Sequence, residues 1–291
     1  MDEWTRIYKF ALVCARVCVC AWWYTAMPAW NSCAFQSVER QDQLVFTLLG
    51  GIVANLGARC RVWDSPPIGR CACNAPSSLV GHNHTIVEMG ANDGLHMSNS
   101  YFFSKTLGWR ALLIEGNPEV YRRIATHRPD AERVNALVGN PKHFSNGKAP
   151  FYSFYRPGDS EKFNTALDWE TGLSGIPSPN SSTIALRSLV HAKRAATRYG
   201  ISFREYQLDV VRFSSLLSQQ SIGAIDVLFL DVEGSELSVL QTLNFKTHPV
   251  RILVVERPSH EVSKLLAARG YHDLRLTYDS GGDRVFVQRT V

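Results

Sequence analysis

The stretch Thr85-Ile86-Val87-Glu88-Met89-Gly90-Ala91-Asn92-Asp93-Gly94 decides the fold class. It opens as a short β-branched run and ends in a glycine-punctuated turn, the pattern of a buried strand. A helical stretch follows near Asn99 to Leu107. Arg110 to Gly116, with Ala111, Leu112, Leu113 and Ile114, reads as a second strand. Asn117-Pro118 is a helix start, with Asn as cap and Pro in the first turn. Val120, Tyr121 and Ile124 give that helix one apolar stripe. Arg133 to Gly139 reads as a third strand.

The pattern resumes downstream. Ile225 to Val232 is a strongly apolar strand, followed by a helix over Ser235 to Leu243. Val250 to Glu256 is another apolar strand. Val262, Leu265 and Leu266 mark a helix that Gly270 closes. Tyr271 to Thr277 and Arg284 to Gln288 read as two strands around the turn Ser280-Gly281-Gly282-Asp283. Alternating strands and helices predict an α/β, doubly wound, mostly parallel sheet with a C-terminal antiparallel hairpin.

Between the two halves, residues 140–182 hold Pro141, Pro150, Pro157, Pro177 and Pro179 and read as a long loop or lid. Thr183 to Arg198 reads as a basic helix, and Glu205 to Phe213 as a strand at the sheet's flank.

Composition bounds the rest. The chain has 291 residues, 45% hydrophobic and 20% charged, an ordinary globular balance that excludes a wholly disordered chain and a polytopic membrane protein. The net charge of +5 comes without a dense Lys/Arg stripe, so nucleic acid is not an expected partner. Seven cysteines all lie at or before residue 73, so the rest of the fold rests on its core. Cys60, Cys71 and Cys73 either are free thiols or bind zinc with a fourth ligand that standard spacing does not supply.

Residues 1–36 form an apolar leader. Phe10 to Trp30 is about as long as a bilayer span, but Arg16 and Pro28 interrupt it. It is a membrane anchor, a signal segment ending at Ser32-Cys33-Ala34, or a leader on a soluble protein. Localisation stays open, with the membrane or secretory route set against the cytoplasm. Residues 37–291 are the expected main domain, with a Cys-bearing insert at 51–81.

In such sheets ligands bind at the C-terminal strand ends. Acids and glycines gather there. Gly90 and Gly94 allow close backbone approach, and Glu115, 21 residues beyond Gly94, is placed to accept hydrogen bonds from two ribose hydroxyls. Asp231-Val232-Glu233-Gly234 ends the strand at 225, and Glu256 ends the strand at 250. A dinucleotide site requires glycine where this chain has Asn92. The pattern instead favours S-adenosylmethionine, whose amino-acid end polar groups near Glu88 and Asn92 would hold. A second reading keeps Glu88, Asp231 and Glu233 as helix-capping carboxylates. His96 is placed to reach the site, whereas His82 and His84 read as solvated.

The segments 87–94, Leu113-Ile114-Glu115-Gly116-Asn117-Pro118 and 225–237 resemble the FkbM-type methyltransferases, a class I group, over roughly Gln41 to Gln288. Gln41-Asp42 resembles the family's lead-in, and Leu173-Ser174-Gly175 a variable segment over the acceptor side. The insert at 51–81 departs from the family. The resemblance implies O-methylation of a hydroxyl on a sugar, glycan or other small molecule. It assigns Glu88, Gly90, Asn92, Asp93, Gly94, Glu115 and Asn117 to the cofactor, and Asp231 and Glu233 to the methyl-transfer centre. Asp231 is the candidate base; with Glu256 it is alternatively a Mg²⁺ site, and no metal ligand is assigned. A rival reading makes the chain a non-catalytic, membrane-tethered interaction or trafficking module of the same fold.

Overall fold

The computed structural model describes residues 31–34, 41–49, 52–54, 70–74, 77–155, 174–177, 188–274 and 282–289. The strands that carry the site are β4 (Thr85–Met89), β5 (Arg110–Glu115), β6 (Glu132–Asn135), β10 (Ile225–Leu230), β11 (Val250–Val255), β12 (Tyr271–Asp273) and β13 (Arg284–Gln288). They form one seven-stranded sheet in the order β12-β13-β11-β10-β4-β5-β6. Only β13 runs against its neighbours, pairing antiparallel with both β11 and β12. The mixed α/β architecture and the C-terminal antiparallel pair are therefore those expected from the sequence; residues 275–281 of the hairpin lie outside the described residues.

The inner strands β4, β5, β10 and β11 are mostly apolar because both their faces are covered. Ile86, Leu113, Val227, Phe229 and Ile252 pack on one face with Phe46, Phe102 and Phe103. Val87, Leu112, Leu228, Leu253 and Phe286 pack on the other with Phe213, Leu217, Val239 and Leu266. The helices α1 (Gln41–Leu48), α2 (Tyr101–Lys105) and α3 (Pro118–His127) supply the first cover. The second comes from α5 (Phe213–Gln219), α6 (Glu236–Gln241) and α7 (His260–Ala268).

Four sequence expectations need correction. Residues 148–155, read as part of a long loop, form an eight-residue strand, β8 (Lys148–Tyr155). It pairs along its whole length with β9 (Ser202–Val211). Pro150 misled the reading; β8 is the edge of its sheet, where a residue without an N–H is tolerated. Ala149, Phe151 and Phe154 are buried and hold the strand down. Residues 156–173 and 178–187 lie outside the described residues.

The strand read at 205–213 does not flank the main sheet: β9 is the centre of a separate sheet, between β7 (Leu137–Val138) and β8, and Phe213 already begins α5. The third strand splits into β6 and the two-residue β7 (Leu137–Val138), which leaves the main sheet to pair with β9. The basic helix, α4 (Leu189–Tyr199), is capped by Ser188 and closed by Gly200, so its described part starts later than the sequence suggests.

A third sheet joins β1 (Asn31–Ala34), β3 (Arg70–Asn74) and β2 (Ile52–Ala54) antiparallel. It pairs the Ser32-Cys33-Ala34 stretch of the expected leader with the insert. Among the described residues no helix is long and apolar enough to cross a membrane; Phe10 to Trp30 and Cys60 lie outside them.

Candidate active site

Strand register alone assembles the site. Chain order reverses between β4 and β10, so the switch point opens beside their C-terminal ends. Met89 pairs with Ile114, which sets Gly90 beside Glu115. Met89 also pairs with Leu230, which sets Gly90 beside Asp231. Leu230 pairs with Val255, and Val255 with Arg284, which brings Glu256 and Asp283 alongside Asp231. A cleft of about 450 Å³ lies over these ends, within the size of small-molecule sites.

Gly90 is required by contact. Its φ is +85°, and a Cβ there would stand 1.7 Å from the Asp231 carbonyl oxygen. Asn92 follows with φ 49°, a left-handed position that Asn tolerates. Gly94 (φ +78°) and Asp93 behave differently from the expectation: neither lines the cleft. A Cβ on Gly94 would press against the Arg128 and Ile124 side chains. Asp93 accepts the N–H groups of Leu95 and His96 and bonds the His96 ring at 2.5 Å. Burial pushes its carboxyl up, but these bonds outweigh that and hold it below the usual range. Both residues shape the turn. His96 itself lines the cleft. His84 is not solvated as expected; it stacks on Trp109 at 4.7 Å and bonds the Ser78 carbonyl.

Glu115 is buried and ties two loops together. It accepts the N–H of Asn92 at 2.8 Å and of Asn117 at 2.7 Å. Burial pushes its carboxyl up to about 7, against those two bonds. Asn117 caps α3 through the Glu119 N–H and bonds Ser153 of β8.

Glu88 is the anchor of the segment after the turn. It accepts from Ser98 Oγ, Asn99 N, Ser100 N and Ser100 Oγ at 2.6–3.3 Å, so its carboxylate holds the approach to α2 while still lining the cleft. Behind it sits Arg128, wholly buried, donating to the Gly94 carbonyl and to Ser98, Ser100 and Ser104. No sequence signal marked Arg128, because an arginine in a helix C-cap reads as surface.

No side-chain hydrogen bond caps α6 at Ser235; Glu236 braces the turn ahead of the helix, accepting the N–H groups of Val232 and Gly234. Asp231 lies beside Glu256, and two carboxyls this close favour holding a proton on one of them. Burial, then the charges of Glu256, Glu233 and Asp283, push Asp231 well above the usual carboxylate range. Glu233 sits in a left-handed backbone conformation (φ 54°). Carboxylate oxygens of Asp231, Glu233 and Glu256 lie within 4.8 Å of one another.

Two residues complete this end of the cleft, and sequence motifs did not single them out for it. Asp283, read as a turn residue, is buried and raised by burial to about 6. It accepts from Gln41 Nε2 at 2.5 Å, which docks α1 on the site across 242 positions. The opposite wall comes from Leu137, Val138 and Phe151 of the smaller sheet and from Ser174-Gly175-Ile176, where Gly175 bridges to Tyr152.

The family model of the FkbM methyltransferase domain matches residues 88–272, from the first strand end to β12. The chain belongs to the FkbM methyltransferase family. It is thus a methyltransferase by family. No curated protein matches the chain. The FkbM match takes in the Gly90 turn, Glu115, Asp231 and Glu256 but neither Gln41 nor Asp283. Part of this chain's cleft is therefore built from outside the matched segment.

Proposed function

We propose that this chain transfers a methyl group from S-adenosylmethionine to a hydroxyl of a sugar, glycan or other small molecule. The observation that carries the reading is Glu115: a buried carboxyl at the end of β5, pinned by two backbone N–H groups, in the wall of the switch-point cleft. The residues present fit the cofactor. Glu115 retains lone pairs for two ribose hydroxyls. Ile114, Val120 and Leu137 offer an apolar wall to a base. Gly90, which has no room for a side chain, lets a ligand meet bare backbone. The bound cofactor supplies an electrophilic methyl on a sulfonium, which an acceptor oxygen takes in line as the sulfur leaves. In its ionised form Asp231 accepts the hydroxyl proton, and the neighbouring charge of Glu256 strengthens its hold on it. The walls of the smaller sheet exclude water and orient the acceptor.

One observation favours a metal-assisted version. The oxygens of Asp231, Glu233 and Glu256 are close enough to hold one hard cation such as Mg²⁺, which takes carboxylate ligands and would stabilise an acceptor alkoxide. The alternative of a non-catalytic module leaves four acids massed at one strand-end cluster without a use.

Calorimetry with S-adenosylmethionine tests the reading. Ribose hydroxyls favour the ionised Glu115, so binding below pH 7 releases its proton. Affinity is expected to rise with pH up to about 7, where Glu115 is already ionised without ligand, and then to level. Glu115→Gln should weaken binding by about 1–3 kcal/mol and abolish that rise. No binding by the wild type would sink the reading; a pH profile unchanged in Glu115→Gln would remove Glu115 from the cofactor site.

A further inference from the structure

Two buried side-chain atoms lack a hydrogen-bond partner among the described residues: Arg128 Nε and Asn99 Oδ1. Arg128 is explained by its other nitrogens, which are fully engaged with Gly94 and three serines. Asn99 has no such explanation. It belongs to the cleft wall with Glu88, Gly90 and Asn92.

Its backbone is held tightly. Asn99 N donates to Glu88 Oε1 at 2.6 Å, and the flanking Ser98 and Ser100 bond Glu88 Oε2 and are themselves buried. A folded chain rarely leaves a polar group buried and unpaired, and those that occur call for an explanation such as an absent ligand. The other amides on the wall include Gln41, taken by Asp283, and Asn117, taken by Ser153 and the Glu119 N–H. The amide of Asn99 remains available, and rotation about its soft terminal torsion can turn either end to the cleft.

We propose that the Asn99 amide holds the amino-acid end of S-adenosylmethionine. This rests on the cofactor reading above and assigns a residue to the end of the ligand that Glu115 does not reach. An amide suits that end chemically. Its oxygen accepts from an α-ammonium and its NH₂ donates to an α-carboxylate, so one group recognises both. The carboxyls of Asp231, Glu233 and Glu256 would repel the ligand's carboxylate, which leaves neutral donors such as this one to receive it. Glu88 then acts as a positioning residue: it orients the 98–100 segment that presents the amide.

Two neutral thioethers separate the possibilities. S-adenosylhomocysteine carries the amino-acid end, and 5′-methylthioadenosine shares its adenosine and thioether but lacks that end. Calorimetry with both, on wild type and on Asn99→Ala, reads the amide directly. Asn99→Ala is expected to lose roughly tenfold to hundredfold in affinity for S-adenosylhomocysteine, with 5′-methylthioadenosine bound as by the wild type. Retained 5′-methylthioadenosine binding also shows that the variant is folded. If the variant keeps both affinities, the proposal is overturned and the cofactor reading stands. If it loses both together, Asn99 holds the loop and not the ligand, and the proposal is again overturned. A wild type that binds neither thioether overturns the cofactor reading, and this assignment with it.

Discussion

Asp231→Asn is expected to lower turnover by about 10²–10⁴-fold, the range for losing general-base assistance, with affinity for S-adenosylmethionine nearly unchanged. The side chain keeps its shape and can still bond Glu256, but it can no longer take a proton. A capping role would predict the opposite, since Asn caps helices about as well as Asp. In the structure no side-chain hydrogen bond caps α6 at Ser235, and the turn ahead of it is braced by Glu236, whose carboxylate receives the N–H groups of Val232 and Gly234. An acceptor found by a methyl-transfer screen of sugars and small hydroxylated compounds provides the assay. Near-normal turnover in the variant would remove Asp231 from the chemistry. EDTA on the wild type then separates base from metal ligand. Inhibition that Mg²⁺ reverses favours a cation held by Asp231, Glu233 and Glu256, and no inhibition leaves Asp231 as the direct base. The raised position of Asp231 adds a sign. Its protonated form is favoured at low pH, so base-dependent turnover should climb as pH rises.

Gly90→Ala is expected to destabilise the fold by about 3–5 kcal/mol, combining severe overpacking with a left-handed alanine. The new Cβ would lie 1.7 Å from the Asp231 carbonyl oxygen, which belongs to the backbone of the neighbouring strand. That neighbour cannot swing aside as a side chain can. Asp231 N already bonds the Met89 carbonyl at 3.0 Å, so moving it breaks the sheet between β4 and β10. Gly270→Ala is the control. It has almost the same backbone angle (φ +86°) but nothing within 4 Å, so it should cost only about 1–2 kcal/mol for the backbone itself. Urea denaturation of the two variants measures the difference. Equal losses would show that the close approach at Gly90 is not enforced.

Much of this architecture is legible in the sequence. Strands buried on both faces are written as unbroken apolar runs, so Thr85–Met89, Ile225–Leu230 and Val250–Val255 stand out without any tertiary knowledge. Glycines and acids at their ends stand out against that background. Asn117-Pro118 announces its helix by local capping chemistry, and the structure shows the cap as expected. Where local cues mislead, the cause is also physical. Pro150 signals a loop by propensity, yet an edge strand accepts it once Phe151 and Phe154 are buried behind it. Glu88, Asp93 and Gly94 carry the right residue types for a ligand turn. Partners decide their work: three residues after the turn engage Glu88, His96 and two backbone N–H groups engage Asp93, and Arg128 packs on Gly94.

What the sequence determined by itself was therefore periodicity, strand ends and the inventory of chemical groups, because these depend on neighbours a few positions away. The arrival of Asp283 beside Asp231 and Glu256, the docking of Gln41 on Asp283, and the unpaired amide of Asn99 were decided only by tertiary structure. Each is a relation of distance and burial between groups that strand register and packing bring together. A carboxyl's proton affinity, or an amide's lack of a partner, exists only once the surrounding water has been removed and the other groups are in place.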